Sequence, residues 1–299
     1  MPLIFRPARA DELARAEELV TRSINDLTVR HGFGPIATTR SPEFQAFCLR
    51  DDPRGVWVAE EAGEMVGFAL SWVCGRLWFL AELFVAPGQQ GRGIGNALLE
   101  RTLEQASQAG ATERSLITFA FNVVSQALYV RYGLLPRVPI HLCSAERDAM
   151  VRHAQGPALR ATPIQATALD LETLRQIDIA VLGVSREKHH RYLLDVPQME
   201  GVFFENGGER VGYAYVAATG HIGPMAVMHA PAMPGAFRTA LAMAIAGDAR
   251  QISVFVPGTS DALAIATGLG MRFALPMVLM ATHDCGDWTR YVPRNPGFM

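Results

Sequence analysis

Apolar positions along the chain recur at two spacings, and the switches between them lay out the elements. Residues 2–7 read as a strand. Over residues 11–29, Leu13, Ala16, Leu19, Val20, Ile24 and Leu27 fall on one helical face, with Asp11 and Glu12 suited to the first turn. Residues 31–35 (HGFGP) stop that helix. Ser41 reads as the N-cap of a short helix to residue 49, with Pro42 at its first position. Two strands, 55–60 and 65–70, are joined by a turn at 61–64, and a third apolar run covers 77–85. The chain breaks at Pro87 and Gly88 and passes through a glycine-punctuated loop. It then enters a helix whose apolar residues are Ile94, Leu98, Leu99, Leu103 and Ala106, closed by Gly110. A strand at 115–121, a helix from Asn122 to Tyr132 ended by Gly133, and a strand at 137–143 complete the run.

The same order then recurs. Residues 153–159, with Gly156 and Pro157, read as a linker. Beyond it come a strand (159–164), helices (171–182 and 185–194), strands (201–205, 211–217 and 221–228) and a helix (234–246). A strand (252–257), a helix (260–268) and a last strand (273–280) follow. Pro231 matches Pro87 at an offset of 144, whereas Gly270 matches Gly133 at 137. Seven residues are therefore missing where the glycine loop and first helical turn of the first copy lie, and Ala266 stands in the place of Tyr129. The expected domains are 1–150 and 158–299, the second a degenerate copy.

The loop is where chemistry enters. Gly91, Gly93 and Gly95 strip side chains from the turn, so backbone N–H groups can approach an anion, and the following helix N-terminus adds free donors and a positive dipole end. Arg92 adds a charge. A Walker loop would need Lys-Ser/Thr after its last glycine, but Asn96 and Ala97 follow Gly95; the glycine spacing is also wrong for a dinucleotide fingerprint. What fits is Gln90-Gly91-Arg92-Gly93-Ile94-Gly95, a Q-x-x-G-x-G placed between strand and helix. It resembles the acetyl-CoA pyrophosphate loop of the GNAT acetyltransferase superfamily. The order β-α-α-β-β-β-loop-α-β-α-β over about residues 2–146 is similar to the GNAT arrangement. So is the stretch from Asn122 through Tyr129 to Gly133-Leu134, with Leu134 where the family usually has Phe. The implied fold class is α/β (α+β, mixed sheet), a tandem GNAT-like acyl-CoA N-acyltransferase fold.

The resemblance implies roles. Gln90, Gly91, Arg92, Gly93, Ile94, Gly95 and Asn96 would hold the pyrophosphate of acetyl-CoA. The strand end Leu83-Phe84-Val85 would hold the pantetheine, with the N–H groups of Phe84 and Val85 polarising the thioester carbonyl. Asn122 would lie on the cofactor side. Tyr129 would be the general acid for the leaving thiolate, an ordinary phenol being suited to that task; the bland alternative is an aromatic that packs the core. Tyr132 fits no matched position. Glu82, which interrupts an apolar strand, would be the base, the alternative being a solvated residue or a partner of Arg76. Asn25, Asp26, Arg30 and His31 lie where substrates of the family often enter. The expected reaction is direct acetyl transfer to a small-molecule amine, with the second copy walling the acceptor cleft or stabilising the first. A protein or peptide N-acetyltransferase, a non-enzymatic acyl-CoA sensor and a longer-chain acyltransferase stay open.

Composition narrows the field further. The chain has 299 residues, 49% apolar and 19% charged, which suits buried cores and not disorder. A net charge of −2 gives no electrostatic footprint for nucleic acid. No apolar run reaches membrane-span length, and the first residues read as too short and too soon interrupted for a signal peptide. Cys48, Cys74, Cys143 and Cys285 are scattered, without metal-type spacing. A cytoplasmic protein with reduced thiols and no metal is expected, and a homodimer is compatible with the pattern. His189 and His190, flanked by Arg186, Glu187, Lys188 and Arg191, read as a solvated helix face. His221, His229 and His283 read as loop or core histidines, and Met225, Met228, Met233 and Met277 as core filler.

Overall fold

The computed structural model describes residues 2–152 and 158–299. The first copy runs β1 (Ile4–Pro7), α1 (Leu13–Arg30), α2 (Glu43–Asp51), β2 (Val56–Glu61), β3 (Glu64–Cys74), β4 (Leu77–Val85), α3 (Ile94–Gln108), β5 (Glu113–Phe119), α4 (Val123–Arg131) and β6 (Leu135–Glu146). A short α5 (Arg147–Val151) follows; most of the expected linker, 153–157, lies outside the described residues. The second copy repeats the order as β7 (Arg160–Pro163), α6 (Ala168–Leu182), α7 (Glu187–Asp195), β8 (Met199–Asn206), β9 (Glu209–Ala217), β10 (His221–Val227), α8 (Met233–Ala246), β11 (Gln251–Pro257), α9 (Asp261–Gly268) and β12 (Arg272–Ala281). A further two-residue strand, β13 (Tyr291–Val292), has no counterpart among the described residues of the first copy and no signal in the sequence pattern.

Local chemistry explains most of these boundaries. The β2–β3 turn puts Ala62 and Gly63 at positive φ, the geometry a tight hairpin requires. Ser41 does not cap α2: Pro42 holds the N-cap position without a side-chain hydrogen bond. The helices α3, α4 and α9 end alike. In each, a glycine (Gly110, Gly133 or Gly270) follows the cap at positive φ. The next N–H then reaches back to the helix, from Ala111 to Ala106, Leu134 to Tyr129 and Met271 to Ala266. Tyr129 and Ala266 thus occupy the same place in equivalent helix endings.

The chain forms two compact units. Unit 1 takes the chain up to Ile117, then Phe121–Leu135 and Ala281–His283; unit 2 takes Thr118–Ala120, Pro136–Met280 and Asp284–Met299. The division therefore falls at Leu135, not in the linker expected between residues 150 and 158, and β6 departs from the domain assigned to it. The reason is its hydrogen bonding: β6 pairs antiparallel with β11, from Gln251↔Glu146 to Pro257↔Ile140.

In unit 1 the strand order is β1-β2-β3-β4-β5, antiparallel except for the parallel β4–β5 pair. Helix α3 packs on β2, β3 and β4, where Ile94 and Leu98 meet Ala59, Val66 and Ala69, with Leu83 and Val85 beside them. Helix α1 also packs on β3 and β4. In unit 2 the order is β12-β6-β11-β10-β9-β8-β7, with β13 beside β10. Its core gathers Phe204, Met225, Met233, Phe237, Val254 and Ala266.

One expectation in unit 2 fails outright. His189, His190 and Arg186 are not a solvated face; each is 1% exposed. Arg186 forks onto Asp178 at 3.0 and 3.2 Å and donates to Tyr213 and Tyr291 and to the Met299 carbonyl. His190 bridges Asp178 and Tyr215. Burial favours a neutral Asp178, but the adjacent Arg186 charge wins and holds the carboxyl well below its usual range. Charged residues at helical spacing mark a face without saying what it meets.

Candidate active site

The parallel pair β4–β5 keeps register only from Leu77↔Glu113 to Leu80↔Leu116. At Ala81 the β3–β4 register shifts, Ser71 facing Leu80 but Leu70 facing Glu82. Past this point β4 continues along β3 while its other edge has no β5 register. Ala86 N–H donates to Val66 at 2.9 Å, on the β3 side. Because donors alternate along a strand, Phe84 N–H also points to β3, and the N–H groups of Leu83 and Val85 point to the open side. Of the expected donor pair, Val85 N–H points to the open side and Phe84 N–H does not; Leu83 N–H points there as well. On that open side the Val85 carbonyl accepts from Ser23 Oγ and Gln90 Nε2, each at 3.4 Å.

The loop after β4 is built from backbone. Gly91 (φ 79°) and Gly93 (φ 81°) adopt left-handed conformations, and the space where a Cβ would stand is empty at both. Gly93 is the N-cap of α3 and has no side chain to satisfy the first turn, so the N–H groups of Ile94, Gly95 and Asn96 are left for another acceptor. The Ile94 side chain is buried, leaving only its backbone available. Arg92 is forked onto Glu61 at 2.8 Å through both terminal nitrogens and also meets Gln89. Its charge is already partnered. Asn96 donates to Glu100 and accepts from Tyr132, so that side chain serves the α3–α4 contact.

Tyr129 and Tyr132 separate cleanly. Tyr132 is tied to Asn96 and Glu100, both at 2.9 Å. Tyr129 is buried, and burial raises its pKa well above an ordinary phenol, against a smaller downward pull from its bond with Ser125. Ser125 Oγ also accepts from Asn122 Nδ2 at 2.8 Å, and Asn122 Oδ1 caps the helix through Ser125 N–H. Asn122 therefore organises the start of α4 and reaches Tyr129 through Ser125, a residue that sequence spacing missed.

Glu82 is half-buried and does not pair with Arg76, which meets Glu113 instead. Its partner is Gln45 of α2, whose Nε2 donates to Oε2 at 3.1 Å and Oε1 at 3.4 Å. The same amide donates to Glu17 of α1 at 2.8 Å. Burial raises the Glu82 pKa to about 7; the Gln45 hydrogen bond opposes the rise and the Glu17 charge adds to it. A carboxyl poised there exchanges a proton readily near neutral pH. Asn25, by contrast, braces the following loop through Ile36 and Ala37, and Asp26 pairs with Arg30.

One mixed α/β order thus occurs twice, and in the first copy it parts beyond a parallel strand pair next to a glycine-capped helix. Residues 21–134 match the Acetyltransferase (GNAT) family, and the chain carries a GNAT domain there. An uncharacterized N-acetyltransferase of Archaeoglobus fulgidus is 43% identical over 96 residues, 29% of this chain and 63% of that protein. The chain spans less than two thirds of the length of the curated relatives it matches. A solved chain from Pyrococcus horikoshii has a similar fold, with TM-score 0.78 and 15% identity over 99% of this chain and 96% of that one. A tandem GNAT protein from the clavulanic acid biosynthesis pathway is similar at TM-score 0.63 and 15% identity, over 94% and 98%.

Proposed function

We propose that the protein is an acetyl-CoA-dependent N-acetyltransferase acting on a small-molecule amine, with its chemistry in unit 1. The observation that carries this reading is the β4 edge: outward N–H groups at Leu83 and Val85, an uncapped glycine-lined helix start beyond them, and Glu82 on the same strand. The empty Cβ positions at Gly91 and Gly93 leave room for a pyrophosphate against backbone. Bound acetyl-CoA supplies an activated acyl carbon and a thiolate leaving group.

In this reading Leu83 and Val85 N–H groups orient the pantetheine and polarise the carbonyl. Glu82 takes one proton from the acceptor ammonium, freeing its lone pair to form the C–N bond as the C–S bond breaks. Tyr129, protonated at any neutral pH because its pKa is raised, gives its proton to the sulfur and is restored by the second proton that nitrogen loses. Unit 2 binds no acetyl-CoA in this reading, since its equivalent helix opens at Ala232-Met233-Pro234 without a glycine loop and Ala266 stands where the acid would be. The four cysteines are free and buried, which supports a reducing, cytoplasmic setting.

Calorimetric titration of acetyl-CoA into the whole chain tests the reading. One site per chain is expected, weakened by Gly95→Asp, which adds a carboxylate at a helical position where a Cβ meets only Val85 at 3.6 Å. Two sites, or none, would reject it.

A further inference from the structure

Gln45 is 2% exposed, and its one amide nitrogen serves two carboxylates from different elements. Glu17 comes from α1 and Glu82 from β4. Among the described residues neither carboxylate has an ion-pair partner. From β3 the residue opposite Glu82 is Leu70, which is apolar and fully buried. The second Glu17 oxygen accepts from Arg40 N–H at 3.3 Å. Around Glu82, then, α1 presents an acid, α2 a neutral donor and β3 a hydrocarbon.

We propose that Gln45 and Glu17 are positioning residues for Glu82: Gln45 orients its carboxylate by donating to it, while Glu17 holds the amide in place and opposes the carboxylate's charge. The proposal rests on the reading of Glu82 as the base. Its logic lies in the two partners acting with opposite sign. A hydrogen bond donated to the ionised carboxylate favours that form; a like charge held beside it disfavours that form. The Gln45 amide can donate one N–H to each carboxylate but cannot neutralise either. Orientation and proton affinity of Glu82 are therefore set from α1 and α2. An apolar side chain at position 45 would lose the orienting bond, and a neutral one at position 17 would lose the opposing charge.

The test is a carboxyl-carbon NMR titration of the whole chain, free of acetyl-CoA, with Glu82→Gln used to identify the resonance. In Gln45→Met the Glu82 midpoint is expected to rise by roughly one pH unit, the worth of a lost hydrogen bond to a charged group. In Glu17→Gln it is expected to fall by roughly half a unit, as a screened like charge is removed. Thermal melts and acetyl-CoA calorimetry on each variant report whether the fold survives, and a melted Gln45→Met is replaced by Gln45→Leu. Opposite displacements sustain the proposal. Unmoved midpoints, or two displacements in the same direction, overturn it. Failure of the unaltered chain to bind acetyl-CoA would reject the proposed function and leave the Glu82 titration to decide this point by itself.

Discussion

The two copies treat the same structural problem differently. In unit 1, β4 and β5 run parallel as far as Leu80↔Leu116 and then part. In unit 2, β10 and β11 hold a parallel register only at His221↔Ser253 and Ile222↔Val254. A parting parallel pair exposes backbone groups that something must satisfy. Unit 2 supplies its own occupant: β13 lies against β10 at Met225↔Val292 and Ala226↔Tyr291, and Val227 N–H donates to the Arg290 carbonyl. Gly223 admits the chain closely, since a Cβ there would stand 2.7 Å from the Pro293 carbonyl. Tyr291 and the Met299 carbonyl are then gripped by buried Arg186. Unit 1 has no such strand among the described residues, and its Leu83 and Val85 N–H groups lie past the last β5 register position. One fold thus leaves a strand edge open in one copy and covers it with its own chain in the other.

The sharpest test of this contrast uses the matched positions 129 and 266. Tyr129→Phe should lower kcat by about 10²–10⁴-fold with acetyl-CoA affinity nearly unchanged, the usual worth of a positioned general acid. Ala266→Tyr, at the same helix ending in unit 2, should create no activity. An unaltered kcat in Tyr129→Phe would remove the acid from unit 1.

Next in size is Glu82→Gln, which should lower kcat/KM by about 10²-fold at pH 8 while stabilising the fold. The folded carboxyl keeps its proton up to about pH 7, against 4.5 ordinarily. The folded chain therefore binds the extra proton between those values, and stability falls as pH rises through that window. Above pH 7 the ionised, half-buried group weakens the native state by at most ~3 kcal/mol, which the amide avoids. Urea unfolding at pH 5 and pH 8 should show the variant's advantage at the higher pH alone.

Tyr291→Phe probes the occupant of unit 2. Losing a buried hydrogen bond to a charged partner should cost about 2 kcal/mol in urea unfolding, with acetyl-CoA binding in unit 1 untouched. The smallest effect separates the two helix starts. Gly95→Asp should weaken acetyl-CoA by roughly tenfold, a carboxylate at an anion site offsetting the dipole. Ala232→Asp, at the N-cap of α8, should leave the affinity as it was. Equal effects from both substitutions would erase the distinction.

The sequence reveals these two copies through local chemistry. Glycine loops, helix endings and apolar runs are written within a few residues of one another, so the repeated order, the glycine-capped start of α3 and the Asn122–Tyr129–Gly133 spacing can be read directly. Glu82 could be singled out because it interrupts an apolar strand. Its partners could not: Glu17 and Gln45 lie on two other elements, and only tertiary packing brings them to it. Ser125 was hidden for a milder reason, since a serine in the first turn of a helix is unremarked. Which of Leu83 and Phe84 turns its N–H away from β3 could not be read, because the direction of a strand's donors depends on its register with β3, which composition does not encode. Arg186 and His190 mislead in the other direction, their polarity suggesting water where Asp178 and three tyrosines enclose them. And β13 is too short to leave a periodic signal.

The register shift at Ala81 has one more consequence. Ordinary alternation would put Leu80 and Glu82 on one side of the sheet. With the extra residue, Leu80 shares the side of Ser71, which meets Gln105 of α3, while Glu82 shares the side of Leu70, toward α1 and α2. The strand behaves like a reading frame with a single-letter insertion. Loss of Ala81 alone would put every residue on one flank of it out of phase, sending the carboxylate into the α3 hydrocarbon or the Leu80 side of the strand toward Gln45. A second one-residue change in β4 would restore the frame, so lengths of this strand that keep the site differ from one another in steps of two.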